Sequence, residues 1–396
     1  MGWFFVVALI TSLIIAFYLG FRVINLFNLH QQGYADTLAK KVFWVVILFG
    51  SLSFILSRAL APVSDYWLPL IGNITFSLTL CFFYSIIIID IIRLFCFLLF
   101  KKTVANNSTF GYSLQILSIV IAIAMFLVGL YMASNPRVIE YQINIDKPAK
   151  VESLKIVQLS DIHISETTSR HFLRTMIKDV NSLYPDYIFI TGDTLDLRLK
   201  PYLDNNFAEL FAQLKPTYGT FIIFGNHEHY GIAREQNNSN ADIINAFSSG
   251  NMLVLQDNVF YDDKTGITIV GRDDYVVNQL DKSRLDLTDL LNHIDINKPI
   301  ILLDHQPKNL EEPEILGVDL MYSGHTHAGQ IFPMTLIVNA MYENPWGVYQ
   351  STNKNNNFTS IVSSGYSLWG PPIRLMTRAE IVITEIKFNQ DKVTQH

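Results

Sequence analysis

Before Asn135 the chain contains four apolar runs, about 3–20, 42–60, 67–100 and 111–133, each near or above the roughly 20 residues that one bilayer crossing needs. That length constraint decides more than any single motif, because an apolar helix of this size has few ways to be buried outside a lipid bilayer. The first run lacks a basic segment ahead of it and a small-residue cleavage site, and further runs follow, so it reads as a retained helix rather than a signal peptide. The third run is too long for one simple crossing and carries Asp90 and Arg93 three residues apart; we read it as a helix leaving the bilayer near Asp90, with "LFCFLLF" at the interface. Lysine and arginine collect between runs one and two (Arg22, Lys40, Lys41) and between three and four (Arg93, Lys101, Lys102), with only Arg58 between two and three. By the positive-inside rule the first and third loops are cytoplasmic, which places everything after about residue 134 outside the cytoplasm.

The remainder is organised differently. Half of the 396 residues are hydrophobic, yet the excess lies almost wholly in the first third. Both cysteines, Cys81 and Cys96, fall there too, so the rest of the chain has neither a disulfide framework nor a thiolate metal site. With 29 basic and 35 acidic residues the chain gives no electrostatic reason to expect a nucleic-acid polymer as partner. We divide it into a four-helix transmembrane anchor (1–134), a linker and first strand (135–153), an α/β domain (154–388) and a short tail (389–396). "STNKNNNFTS" reads as a surface loop.

From Leu154 onward, short apolar runs each close on polar residues: "LKIVQLSDIH", "DYIFITGDTLD", "TFIIFGNHEHY", "ITIVGRDD", "PIILLDHQP" and "VDLMYSGHTH". Continuous apolar runs of this length read as strands buried on both faces, and "SRHFLRTMIKDVNSL" and "NNFAELFAQLK" have helical spacing between them. In such sheets ligands gather at the carboxyl ends of strands, where every one of these polar clusters lies. Asp161, His163, Asp193, Asp196, Asn226, His227, His305, His325 and His327 make a set of imidazoles, carboxylates and one amide without thiolate, suited to Mn, Fe or Zn. The set is large enough for two metals, and two neighbouring cations need a shared anion. Asp193 is the candidate, with Gly192 before it allowing a sharp turn and keeping bulk away.

The motifs "SDIH", "GDTLD", "GNHE", a lone "DHQ" and "GHTH", in that order, resemble the calcineurin-like metallophosphoesterase superfamily, and the multi-span start resembles its membrane-anchored branch. The resemblance covers about residues 154–388 and implies an α/β sandwich of two mixed β-sheets flanked by helices, behind an all-α transmembrane bundle. It implies one metal held by Asp161, His163, Asp193 and His327, and a second held by Asp193, Asn226, His305 and His325. It further implies that His227 contacts the phosphate or protonates the leaving oxygen, with Asp196 orienting it. The function that follows is hydrolysis of a phosphate ester, mono- or diester and including a lipid-linked one, by a water activated between two divalent ions. The alternative is a catalytically silent sensor or scaffold that binds phosphate esters on the same fold.

Other residues leave two readings open. His325 and His327 sit two apart on what reads as an extended segment, their rings on one side. Glu228 and His229 line the pocket or occupy an exposed loop. Arg272, in "GRDD", meets substrate phosphate or belongs to a surface turn. Asp304 points away from the site by strand alternation. Tyr366 and Trp369 rim the pocket or rest at the membrane interface. His30, His171, His293 and His396 lie outside any motif.

Overall fold

A computed structural model describes residues 2–27, 34–59, 66–234, 238–280, 283–351 and 357–389. His30, His396, most of the asparagine-rich loop and all of the tail but Asn389 lie outside the described residues. The chain forms two compact units: residues 1–131 together with 370–375, and residues 132–369 together with 376–396.

The first unit contains α1 (Gly2–Leu26), α2 (Tyr34–Ala59), α3 (Trp67–Phe100) and α4 (Thr109–Ser134). All four are long and apolar enough to cross a membrane. The third apolar run is a single uninterrupted helix of 34 residues. Asp90 does not turn to Arg93 on its own helix: it accepts from Tyr18 Oη and Arg22 Nε of α1, both at 2.6 Å. Arg93 instead donates to the Val104 carbonyl and Asn106 Oδ1, each at 2.6 Å. A charged group in apolar surroundings is tolerable only when paired, and α1 supplies the pair. Inside this unit, the Arg374 amide donates to the Gly129 carbonyl of α4 at 3.0 Å, so residues 370–375 are tied to the end of that helix.

The second unit is built on two six-stranded mixed sheets. Its strands are β1 (Arg137–Ile145), β2 (Ser153–Leu159), β3 (Tyr187–Thr191), β4 (Gly219–Ile223), β5 (Met252–Val254), β6 (Asn258–Asp262), β7 (Ile267–Gly271), β8 (Ile300–Leu303), β9 (Leu320–Ser323), β10 (Gly347–Gln350), β11 (Thr359–Val362) and β12 (Glu380–Phe388). One sheet has the order β1-β12-β2-β3-β4-β5, the other β10-β11-β9-β8-β7-β6. In the first, β2, β3, β4 and β5 run parallel; in the second, β7, β8, β9 and β11 do. The segment expected to be a linker contributes β1, which pairs along its whole length with β12.

Strand alternation sorts the apolar residues into layers. Ile156, Phe189, Phe221 and Ile223 of one sheet meet Ile269, Ile301, Leu303 and Tyr322 of the other in a core between the sheets. Their neighbours Val157, Leu159, Ile188, Ile190 and Ile222 face outward onto α5 (Arg170–Ser182), the short α6 (Lys200–Asp204) and α7 (Phe207–Phe211), and a later helix, Asn240–Ser248. Leu173, Met176, Ile177 and Val180 fall at helical spacing on the buried face of α5, whose first turn is capped by the Ser169 hydroxyl accepting from the Phe172 amide. On the far side, Val270, Ile300, Leu302 and Met321 pack under Leu287, Leu290 and Leu310. The two sheets of the expected sandwich are therefore both present, each covered on its outer face.

Phe189 touches the rings of Tyr187, Phe221 and Tyr322 across the inter-sheet core. Phe189→Ala is expected to cost about 3–5 kcal/mol of stability, and Phe189→Leu about 1 kcal/mol. The ranking of thermal midpoints of the full chain in detergent checks this.

Candidate metal centre

Every expected ligand leaves the carboxyl end of a strand. Asp161 and His163 follow β2, Asp193 follows β3, Asn226 follows β4, His305 follows β8, and His325 and His327 follow β9. The first two loops zip together beyond their strands: the Asp161 amide donates to the Gly192 carbonyl at 3.1 Å, and the His163 amide to the Asp193 carbonyl at 3.0 Å.

The side chains converge in two donor groups that share a carboxylate. In one, His163 Nε2 and His327 Nε2 are 3.1 Å apart, and Asp161 Oδ1 lies 3.3 Å from His327 Nε2 and 3.8 Å from His163 Nε2. In the other, His305 Nε2 is 3.2 Å from Asp193 Oδ2 and 3.3 Å from His325 Nδ1. Asp193 also clusters with His163 and His227, so it belongs to both sides. Donors bound at about 2.1 Å to one cation stand about 3.0–3.4 Å from each other, the spacing of every pair given but Asp161–His163, which is wider at 3.8 Å.

Three observations test whether these residues suit divalent ions. Asn226 Oδ1 is buried with no hydrogen-bond partner, an expensive state for an amide oxygen that a cation would relieve. His305 Nδ1 lies 2.7 Å from the Thr191 carbonyl and donates to it, which leaves Nε2 facing Asp193 Oδ2 at 3.2 Å, a place that calls for positive charge: against the effect of burial, Asp193 pushes the ring well above its ordinary value, and a divalent ion would take the place of the Nε2 proton. Burial lowers His163 to about 4 and His325 to about 3, with neighbouring imidazoles adding to the effect, so both rings are neutral and able to donate a lone pair. Burial also pushes Asp161 up to about 6, with the Asp193 carboxylate adding to the shift and His305 opposing it. The residues fit a pair of divalent cations.

The backbone accommodates the ligands at a cost. Asp161, His163, Asp193, His325 and His327 all have φ between +48° and +68°, the left-handed region that L-residues avoid. The "GHTH" segment is thus not extended: it is a turn in which the left-handed His325 and His327 flank a right-handed Thr326, and the turn, not strand alternation, sends His325 to one donor group and His327 to the other. Gly192 has φ +89°, and a Cβ there would stand 2.6 Å from His305 Nδ1. At Gly324 a Cβ would meet Ser160 Oγ at 1.8 Å and Asp161 Oδ2 at 2.4 Å.

His227 and Asp196 lie beside this cluster. His227 Nδ1 is 3.1 Å from Asp196 Oδ1, and the His227 amide donates to Asp193 Oδ1 at 2.9 Å. The His227 ring meets Trp369 edge-on at 6.3 Å, so Trp369 is beside the site, whereas Tyr366 is buried in the core against Phe172.

Glu228 is the residue that the sequence reading undervalued. It is wholly buried rather than on an exposed loop, and its carboxylate accepts from the amides of Asp193 (3.1 Å), Leu195 (2.8 Å) and Gly225 (2.8 Å), holding the β3 and β4 loops together. Its signal was available: a carboxylate in the first turn of a helix, Asn226–Arg234, that begins on a ligand. His229 is buried as well, 2.5 Å from Asp273. Arg272 is in no surface turn and faces no ligand; it pairs with Glu312 at 3.2 Å and Asp304 at 3.8 Å. Asp304 does point away from the site, to Arg284 at 2.9 Å. His171 and His293 are exposed and apart from the cluster.

Two facing sheets with donor-bearing loops at their strand ends make up a metallophosphoesterase-like fold. Comparison with known proteins agrees: residues 154–329 match the family model for calcineurin-like phosphoesterases. A Helicobacter pylori protein named as an uncharacterized metallophosphoesterase is 32% identical, covering 86% of this chain and 87% of its own. A Campylobacter jejuni metallophosphoesterase is 29% identical over 87% and 88% of the two chains, and a zebrafish (Danio rerio) transmembrane protein with metallophosphoesterase domain is 28% identical over 87% and 80%. The chain belongs to the calcineurin-like metallophosphoesterase family.

Removing divalent ions with a chelator is expected to lower the thermal midpoint of the full chain, and Mn, Fe or Zn to restore it. An Asp193→Asn variant should show little further drop on chelation; a wild-type midpoint indifferent to chelator and metal would count against the centre.

Proposed function

We propose that the protein is a membrane-anchored phosphoesterase that hydrolyses a phosphate mono- or diester. The observation that carries this reading is Asp193, one carboxylate shared between two groups of neutral imidazole and acid donors. Asp161, His163, Asp193 and His327 would hold one divalent ion, and Asp193, Asn226, His305 and His325 the second. Such a pair supplies an activated water and positive charge against the phosphoryl oxygens.

The chain's own residues account for the remaining proton. His227 is oriented through Nδ1 by Asp196, which leaves Nε2 as the atom that can reach a phosphate oxygen and hand a proton to the leaving group. Glu228 keeps the two central loops at fixed separation by holding three backbone amides. The mixed nitrogen and oxygen donors suit Mn, Fe or Zn.

The helices within residues 1–134 are read as a multi-pass anchor, with the catalytic domain, residues 154–388 and the strand before it, outside the cytoplasm. The charge argument for this orientation rests on Arg22, Lys40 and Lys41 in the first loop and on Arg93, Lys101 and Lys102 in the third. Tethering to a bilayer raises the local concentration of a lipid-linked phosphate ester over a soluble one.

Detergent-purified protein supplied with Mn, Fe, Zn or Mg is expected to hydrolyse an aryl phosphomonoester, an aryl phosphodiester or a lipid phosphate. Asp193→Asn and His325→Ala should abolish turnover, and His227→Ala should lower kcat by about 10²–10⁴-fold with metal content per chain unchanged. Binding of phosphate esters without turnover under any metal would identify a sensor or scaffold instead. For orientation, a carboxyl-terminal reporter that works only outside the cytoplasm is expected to be active; one active solely in the cytoplasm would reverse the topology.

A further inference from the structure

Seven residues beyond His327 begins the helix Met334–Met341, and its surface is unlike that of the other helices of its unit. From Ile331 to Met341 the sequence "IFPMTLIVNAM" has no charged residue. Phe332, Met334, Leu336, Ile337 and Met341 are nonetheless 39–69% exposed, Met341 the most, while Val338 alone of the helix is buried. A solvated surface helix normally carries charged residues on its open face, and a contiguous apolar patch of this kind marks a surface that meets something apolar.

The position of the helix says what it meets. At its start, Gln330 is tied to both flanks of the segment 370–375: its side chain accepts from the Trp369 amide at 3.1 Å and donates to the Trp369 carbonyl at 3.3 Å, and its own carbonyl accepts from Thr377 Oγ1 at 2.9 Å. Residues 370–375 belong to the unit of membrane-length helices, where Arg374 is bonded to α4. Met376, the next residue along the chain, is 82% exposed. Gln330, at the start of this apolar helix, is thus bonded at the two points where the chain passes into and out of the unit of membrane-length helices. At its other end, the Tyr342 ring stands 6.2 Å from the ring of His325. The helix therefore runs from the neighbourhood of one donor residue to another, along the edge of the site.

We propose that the Phe332–Met341 segment is a lipid-contacting lip, seated in the interfacial layer of the bilayer through Met334, Leu336, Ile337 and Met341. Interfacial helices bind by burying such a face a few ångströms into the acyl boundary. Resting on the phosphoesterase reading above, the lip gives the site a substrate class: a phosphate ester carrying a long hydrocarbon chain, which lies along the lip while its phosphate reaches the donor cluster.

The test places an environment-sensitive fluorophore at Leu336→Cys or, as a second site, Met341→Cys, in full-length protein with Cys81→Ala and Cys96→Ala. The protein is reconstituted in phosphatidylcholine–phosphatidylglycerol vesicles, with a label at Tyr184→Cys, 83% exposed, as the reference. The lip labels are expected to be quenched several-fold more by lipids with nitroxide on the acyl chain than the reference label is, and to be protected from aqueous iodide. Iodide quenching without nitroxide quenching would overturn the proposal. Protection from both quenchers would also overturn it, since a second copy of the chain would then cover the helix. Because this readout needs no turnover, it stands or falls separately from the enzymatic reading. If both hold, Leu336→Glu with Ile337→Glu should raise KM for a vesicle-borne phosphate ester relative to a soluble aryl ester, on the order of tenfold.

Discussion

Asp193 is the residue on which the arrangement of the second unit converges. Its carboxylate meets His305 Nε2 on one oxygen and the His227 amide on the other, its own amide is held by Glu228, and its carbonyl receives the His163 amide. Burial alone would raise such a group, yet His305 and His227 hold it well below the ordinary carboxylate range, so it remains an anion although fully buried. An anion fixed by that many neighbours cannot move, and its immobility is what allows it to serve two donor groups at once. The left-handed backbone at Asp193 itself and at four donor residues around it is the conformational cost of bringing them together.

The fold provides that convergence with ordinary means. Parallel strands end at a common edge, and each strand end delivers its first polar residues there. Strand alternation separates the residues of the inter-sheet core from those under the outer helices, so neither face competes with the ligand loops for apolar residues. The helical unit depends on a comparable economy of charge: Asp90 is satisfied by α1, and Arg93 by the loop that leads into α4.

Much of this was legible in the residues. Continuous apolar runs ending in Asp, His, Asn or Gly identified buried strands and their ligand-bearing ends, and the order of the five motifs identified the family, because both signals are local. What escaped notice depends on long-range contacts. Glu228 looks like any acid in a loop until its three amide partners, two of them more than thirty positions away, are brought to it. The left-handed turn at His325 and His327 leaves no alternation to read and differs from an extended segment only in backbone angles. Arg272 could be assigned only once Glu312, from a separate segment, was seen beside it. Asp90 likewise had its visible neighbour at Arg93, while its actual partner lies 68 residues earlier.

The donor cluster draws on both sheets, with Asp161, His163, Asp193 and Asn226 from one and His305, His325 and His327 from the other. Among the described residues no strand ladder joins the two sheets, so their mutual registration rests largely on the side chains packed between them, Phe189, Phe221, Ile301 and Tyr322 among them. A slide of a few tenths of an ångström along that interface would leave each sheet intact and still change the distance between His305 and Asp193. The apolar interior thus acts as the gauge block of the donor cluster: its packing precision sets the tolerance to which the donors are held, and substitutions far from any of them can detune the cluster without touching it.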